Sequence, residues 1–393
     1  MYWANFLHFY QPAGQQEDIM EAIVAQSYRP VLHGVKKNKR IRLTFNINGS
    51  LLELFDKYKY RDIIDILREL GKEGRVEFTG SSKYHAFLPL VEEKEIIRQI
   101  QINNETNKFY LGEGYKPQGF FPPEMAYKKE LAPILDDLGF KWIILDEIAC
   151  GGESGRVDYK KVYKIKDSKL LVFFRERKLS NLIMSAVVRS KETLKEAMKD
   201  DLKSSRYLVT AMDVETFGHH RPGLEKMLFN VLAAPEFELI QISDIPKHYK
   251  DYEEVSPVKS TWASSVEDIK NNIQFLSWND PENIIHKFQW DFLNMVLGEF
   301  YKVPVDVTAY PILRNKIDAV LASDSFWWAS AKPWWSLEMI EVGAWWLLEA
   351  MEAIPNIFKD KVDRARDFYT KIISTAFNWQ RTGRIRQMMK EQK

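Results

Sequence analysis

Tyr207-Leu208-Val209-Thr210-Ala211-Met212-Asp213-Val214-Glu215-Thr216-Phe217-Gly218-His219-His220 decides how the chain is read. Its first half is apolar and β-branched, at the length of a buried strand. The acids, the glycine and the two histidines therefore fall where that strand gives way to a loop. In parallel α/β folds the loops after the carboxyl ends of the strands share one face, and a carboxylate at a strand end there reads as catalytic before it reads as structural. The alternative reading is that Asp213 or Glu215 only caps the next helix. Capping needs one such side chain, not two acids, two histidines and a glycine together.

The outer bounds agree with a large α/β protein. At 393 residues and 45% hydrophobic content the chain can bury a large core, and it is too long for one ordinary domain unless that domain is a barrel with additions. Lys and Arg total 56 against 55 Asp and Glu, so no overall field favours nucleic acid or an acidic membrane, and a neutral substrate fits. The single cysteine, Cys150, excludes an internal disulfide and fits a reducing compartment. The amino end lacks the basic start and cleavage site of a signal peptide, and no uncharged run reaches membrane-spanning length. A cytoplasmic protein is expected.

Working outward, strand and helix signals alternate. Tyr2 to Phe9 is an aromatic, apolar strand halted by Pro12, which puts His8 and Gln11 at its carboxyl end. Ile41–Asn48 is a second strand, followed by one helix from about Leu51 to Leu70 that Gly71 stops. Arg75–Gly80 is a third strand with Glu77 inside it, and an acid there is costly to bury unless it is paired or functional; His85 follows in the next loop. A helix from about Glu92 to Tyr110 leads to Gly119-Phe120-Phe121-Pro122-Pro123-Glu124, where two prolines enforce an extended segment and present Glu124 rigidly. The alternative reading of Glu124 is an acid that only stabilises a helix N-terminus. Lys141–Asp146 is a strand, Val162–Arg175 a hairpin around Asp167-Ser168, Glu192–Leu202 a helix and Phe237–Ile242 a strand. About seven βα units at this rhythm mean a parallel sheet, and a barrel rather than an open sheet. No Gly-x-Gly-x-x-Gly or phosphate loop follows the first strand, so dinucleotide and nucleotide chemistry lack their usual signal.

Beyond about Tyr252 the texture becomes helical. Apolar residues recur at helical spacing over Ile284–Val296, Leu337–Met351 and Phe358–Phe377. Between these segments lie aromatic polar loops around Trp262, Trp278 and Trp327-Trp328. Flat rings beside polar side chains make platforms for the apolar face of a sugar; they also make packing seams. Trp345 and Trp346, within a helix, read as seam, whereas Trp262 and Trp278 are open to either reading.

His8 with Gln11-Pro12, Glu77 in its short strand, Phe121-Pro-Pro-Glu124 and Asp213-Val-Glu-Thr-Phe-Gly218 stand in the order and local context of the signature regions of glycoside hydrolase family 57, which the chain resembles. The resemblance implies an α/β fold: an incomplete (β/α)7 TIM-like barrel, placed at residues 1–255, followed by a C-terminal helical domain at 256–393 that completes the substrate cleft. It also implies a retaining mechanism on α-1,4-linked glucans with no metal and no cofactor. Carried over by position, Glu124 is the nucleophile and Asp213 the general acid/base. His8, Gln11, Glu77, His85, Phe121, Glu215 and His220 are expected in the substrate-binding shell, and so are Trp262 and Trp278 on the sugar-platform reading. Two departures bear on substrate preference: Tyr10 stands where the family often has a second histidine, and Phe121 where it often has a tryptophan.

The chemistry needs one carboxylate to attack the anomeric carbon and another, raised in pKa, to protonate the leaving oxygen, about 5 Å apart in a retaining enzyme. Hydrolysis by an α-amylase-like enzyme and transfer by a 4-α-glucanotransferase both fit. Two further readings come from other classes. In a metal-dependent hydrolase or deacetylase, His8, His85, Asp213, His219 and His220 would supply ligands, though no His-x-His pair supports it. A carbohydrate-binding homologue without catalysis would use the aromatic platforms alone.

Overall fold

The computed structural model describes residues 1–391 and divides into two compact units. One comprises Met1–Lys83 and Leu88–Trp262; the other comprises Tyr84–Phe87 and the chain from Ala263 onward. The passage from one unit to the other thus falls after Trp262 rather than after residue 255, and four residues around His85 belong with the later part of the chain.

Ten strands build the first unit: β1 Tyr2–Phe9, β2 Leu43–Ile47, β3 Val76–Phe78, β4 Gly119–Phe120, β5 Trp142–Asp146, β6 Val162–Ile165, β7 Leu171–Arg175, β8 Tyr207–Asp213, β9 Glu238–Ile240 and β10 Tyr252–Val255. β3, β2, β1 and β8 pair in parallel in that order, and β9 adds to the start of β1. The second sheet runs β10-β6-β7-β5-β4, with only β6 and β7 antiparallel. Two seams join the sheets. Gly80 bridges Phe120 between β3 and β4, and Glu176 N–H donates to Val209 O at 2.8 Å between the end of β7 and β8. Seven strands, β1 to β5 with β7 and β8, thereby form an incomplete (β/α)7 barrel. At the first seam Gly119 admits the Trp142 ring, which a Cβ would meet at 2.1 Å.

Parallel strands covered on both faces read as near-continuous apolar runs, and β1 is buried from Trp3 to Phe9. Outward residues such as Leu7, Phe45, Phe78 and Met212 pack with Ile63, Leu67 and Leu228 of the surrounding helices. The inward positions of β2, Thr44 and Asn46, are polar yet fully buried.

The expected single helix after β2 is two, Gly49–Lys57 and Arg61–Lys72. Lys59 turns to φ 64° and Tyr60 N–H closes onto Phe55 O at 2.7 Å, so the chain reverses with no glycine or proline to announce it. Gly71, expected as a stop, lies inside the second helix.

The second unit is helical, with long segments at Ile284–Phe300, Tyr310–Val320, Leu337–Glu352 and Lys359–Thr382. Trp345 is 44% exposed and meets Tyr369 edge-on, so it is not the packing seam expected of it. No described helix is long and apolar enough to cross a membrane.

Candidate active site

The register of three strands sets the floor of the site. His8 on β1 stands opposite Asn46 on β2 and Asp213 on β8, all at carboxyl ends. His8 Nδ1 lies 2.8 Å from Asn46 Oδ1, and Asn46 Nδ2 donates to Thr79 Oγ1 at 3.1 Å. With Asn46 oriented this way, Nδ1 of His8 is the donor in that pair. Burial pushes the His8 pKa down to about 3, so the ring stays neutral. Its face packs on Phe121, with ring centres 4.6 Å apart.

Asp213 ends β8, partly exposed, and makes no capping hydrogen bond to the turn that follows, which removes the capping reading. Burial raises its pKa to about 6, against the opposing pull of the Arg175 guanidinium. Arg175 is buried at the end of β7. It donates to Asp146 Oδ2 at 2.7 Å and to Ala211 O at 2.8 Å, while Arg177 holds the other Asp146 oxygen at 2.8 Å. A fixed cation therefore faces β8 from the neighbouring strand.

Glu215, two residues on, is also buried. It accepts from Tyr28 Oη and, at 2.9 Å, from Gln11 Nε2. Burial, then the Asp213 carboxylate, push its pKa up to about 8. Tyr28 closes a π-helical turn, Val24–Tyr28, of the kind that recurs at functional sites. That turn is clamped to the Asp213 loop: Ser27 Oγ donates to Val214 O at 2.8 Å, and His219 Nδ1 shares a 2.8 Å hydrogen bond with Gln26 Oε1. Gly218 explains the closeness. Its φ is +110°, and a Cβ there would lie 1.9 Å from Gln26 O.

Glu124 follows the two prolines at φ 62°, ψ 14°, a left-handed conformation rare for a glutamate. The next α-helix starts only at Leu131, so Glu124 does not serve that helix N-terminus. The segment is zipped to another loop. Tyr127 pairs with Ser260, Trp262 N–H donates to Glu124 O at 3.1 Å, and Trp262 Nε1 donates to Glu124 Oε2 at 2.7 Å. The Trp262 ring also lies 6.0 Å from Phe121 and 6.5 Å from His8. Glu124, Trp262, Phe121, His8, Asp213, Glu215 and Gln11 thus form one neighbourhood.

The other four expected shell residues are held as follows. Glu77 pairs with Thr44, one inward layer closer to the amino ends of the strands than His8 and Asn46. It accepts there from Thr44 Oγ1 at 2.6 Å and Ser243 N–H at 3.1 Å, a closure of the barrel interior. His85 lies in the other unit, bonded to Ser323 Oγ at 2.9 Å. Trp278, in the same unit, is only 1% exposed and stacks on Phe87, so its ring offers no free face. His220 is exposed, and its pKa is lowered chiefly by partial burial of the ring. Among the described residues no group of three or more His, Cys, Asp or Glu is placed to hold a metal ion; His85 and His219 are tied to Ser323 and Gln26 instead. Tyr28 and Arg175 were missed, since nothing local marks a tyrosine in a π-turn or an arginine closing a hairpin.

Comparison with known proteins gives this arrangement its family. The family model described as Glycosyl hydrolase family 57 matches residues 10–257, more than half of the chain. The chain belongs to that family. An α-amylase of Pyrococcus horikoshii is 25% identical over 231 residues, which cover 57% of this chain and 36% of that protein. A 4-α-glucanotransferase of Thermococcus litoralis is 24% identical over 216 residues, covering 54% and 32%. The chain thus spans about a third of the length of these family 57 relatives. Among solved structures, a family 57 branching enzyme from Thermococcus kodakaraensis superposes with a TM-score of 0.71 at 15% identity, covering 93% of this chain and 94% of that one. The T. litoralis enzyme gives 0.68 at 18%, covering 89% and 58%. At these identities the superpositions show the shared fold.

Proposed function

We propose that the protein is a retaining glycoside hydrolase of the α-amylase type acting on α-1,4-linked glucans, with Glu124 as nucleophile and Asp213 as general acid/base. The observation that carries this reading is the contrast between two carboxylates in one neighbourhood. Asp213 is a desolvated acid near pH 6, suited to giving up a proton, and Glu124 is locked by its backbone and by the Trp262 indole. Asp213 protonates the glycosidic oxygen as the C1–O bond breaks and a Glu124 oxygen bonds to C1. In the second step a water or sugar hydroxyl gives its proton to Asp213, its oxygen takes C1, and the ester to Glu124 breaks. Neutral His8, with Gln11 and Glu215, supplies hydrogen bonds to sugar hydroxyls. The lone, buried Cys150 supports a reducing, cytoplasmic setting.

A second reading, transfer to a sugar acceptor, is favoured by the glucanotransferase among the relatives. Product chromatography after incubation with maltoheptaose separates the two. Shorter products alone mean hydrolysis, a ladder above the starting length means transfer, and Glu124→Gln should abolish both. Untouched maltoheptaose would overturn the assignment.

A further inference from the structure

Covalent catalysis moves a charge across the site. The nucleophile attacks as a carboxylate while the acid is protonated. Once a Glu124 oxygen has bonded to C1 and the Asp213 proton has left with the departing oxygen, Glu124 is a neutral ester and the negative charge sits on Asp213. A desolvated carboxylate needs a counter-charge there. Around Asp213, His8 on β1 is a neutral ring, and Tyr28 on the π-turn and Glu215 on the same loop are neutral or negative, never positive. The opposing cation is Arg175 on β7, whose Nε donates to Ala211 O, two residues before Asp213.

Arg175 is part of a triad. Asp146, at the end of β5, accepts from Arg175 Nη1 at 2.7 Å on one oxygen and from Arg177 Nη1 at 2.8 Å on the other. Two guanidinium groups on one carboxylate leave one positive charge over. The side chains of Arg175 and Asp146 are 2% and 1% exposed and that of Arg177 18%, so water and salt screen this surplus little. A buried surplus charge is costly unless something pairs with it. Two other acids face the triad, Glu147 and Glu176. Burial pushes the pKa of both upward, and Glu176 already accepts from Leu179 N–H at 2.6 Å and faces Arg206 as well. Asn181 Oδ1 accepts from Arg175 Nη2 at 2.7 Å, which fixes the guanidinium against β8.

We propose that Arg175, Asp146 and Arg177 are positioning residues whose surplus charge is the standing counter-charge for the Asp213 carboxylate in the glycosyl-enzyme. The proposal rests on the retaining reading above. The triad makes Asp213 a stronger acid in the first step and keeps it ionised, ready to take a proton from the acceptor, in the second.

Two substitutions change the surplus in opposite directions and leave Arg175 itself unchanged: Arg177→Met cancels it and the isosteric Asp146→Asn doubles it. Carboxyl 13C resonances of the full chain labelled at aspartate give the titration midpoint of Asp213, identified by the peak that Asp213→Asn removes. That midpoint should rise in Arg177→Met and fall in Asp146→Asn, by about half a pH unit each. The basic limb of kcat/KM on maltoheptaose should move with it, about a threefold change in rate at a fixed pH on the limb. A triad that only holds the fold would weaken both variants without sending the two curves in opposite directions. Midpoints that stay at the wild-type value, or move the same way in both variants, would overturn the counter-charge and leave Asp213 as the acid, provided the wild-type midpoint and limb coincide. A midpoint that moves while the limb stays in place would overturn both, because the limb would then belong to another acid.

Discussion

Asp213→Asn should stabilise the protein at neutral pH while removing its activity, and the gain should vanish in acid. Burial raises the Asp213 pKa from 3.8 to about 6, the net of desolvation and the opposing Arg175 charge. Below pH 3.8 the aspartic acid is neutral in both folded and unfolded chains and costs nothing. Between 3.8 and about 6 the unfolded chain releases its proton and the folded one does not, so stability falls as pH rises, and the loss is complete above about 6. At about 1.4 kcal/mol per pH unit, with screening at the partly exposed carboxyl, the loss is about 2–3 kcal/mol. Asparagine keeps the shape and has no charge to desolvate. Thermal unfolding followed by tryptophan fluorescence at pH 7.5 should place the variant about 4–12 °C above the wild type, given about 2–4 °C per kcal/mol for a unit of this size. At pH 4 the two should nearly coincide. A variant no more stable at pH 7.5, or equally stabilised at both pH values, would refute the view of Asp213 as a desolvated acid.

Other outcomes follow from the same geometry. kcat/KM on a maltooligosaccharide should fall as pH rises above about 6, because the acid must carry its proton, and an activated aryl maltoside that leaves without protonation should lose that basic limb. Gly218→Ala should lower stability by more than about 3 kcal/mol, since it adds left-handed strain to a collision with Gln26 O; a melting curve within 2 °C of wild type, roughly 1 kcal/mol or less, would contradict this. Tyr28→Phe should cost about 1–3 kcal/mol by removing a donor from the buried Glu215 carboxyl, read by urea unfolding. Arg175→Met should cost about 3–5 kcal/mol, because Asp146 and two further acceptors lose a buried cation.

Much of the barrel was legible because fully buried parallel strands are apolar runs, and the βα rhythm survives in the sequence. His8, Gln11, Glu124, Asp213 and Glu215 could be placed at strand ends for the same reason. Depth was not legible. Glu77 in β3 and Thr79 just past its end share one face, and only the register with Thr44 and Asn46 shows that Glu77 lies a layer below His8. β10 escaped notice because its residues are exposed and it exists through pairing with β6 rather than through its own pattern. Trp262 and Trp278 look alike in sequence, each flanked by polar residues; one donates to Glu124 and the other is stacked on Phe87. His85 changed units within a four-residue excursion, too short to alter composition.

Trapping the glycosyl-enzyme tests the central assignment most directly. α-Maltosyl fluoride needs no proton to leave, so in Asp213→Asn the first step proceeds while the second, which needs the base, stalls. Peptide mapping by mass spectrometry should then find a maltosyl ester on the peptide carrying Glu124, absent when Glu124 is also changed to Gln. An adduct on any other residue, or none while fluoride is released, would contradict Glu124 as the nucleophile.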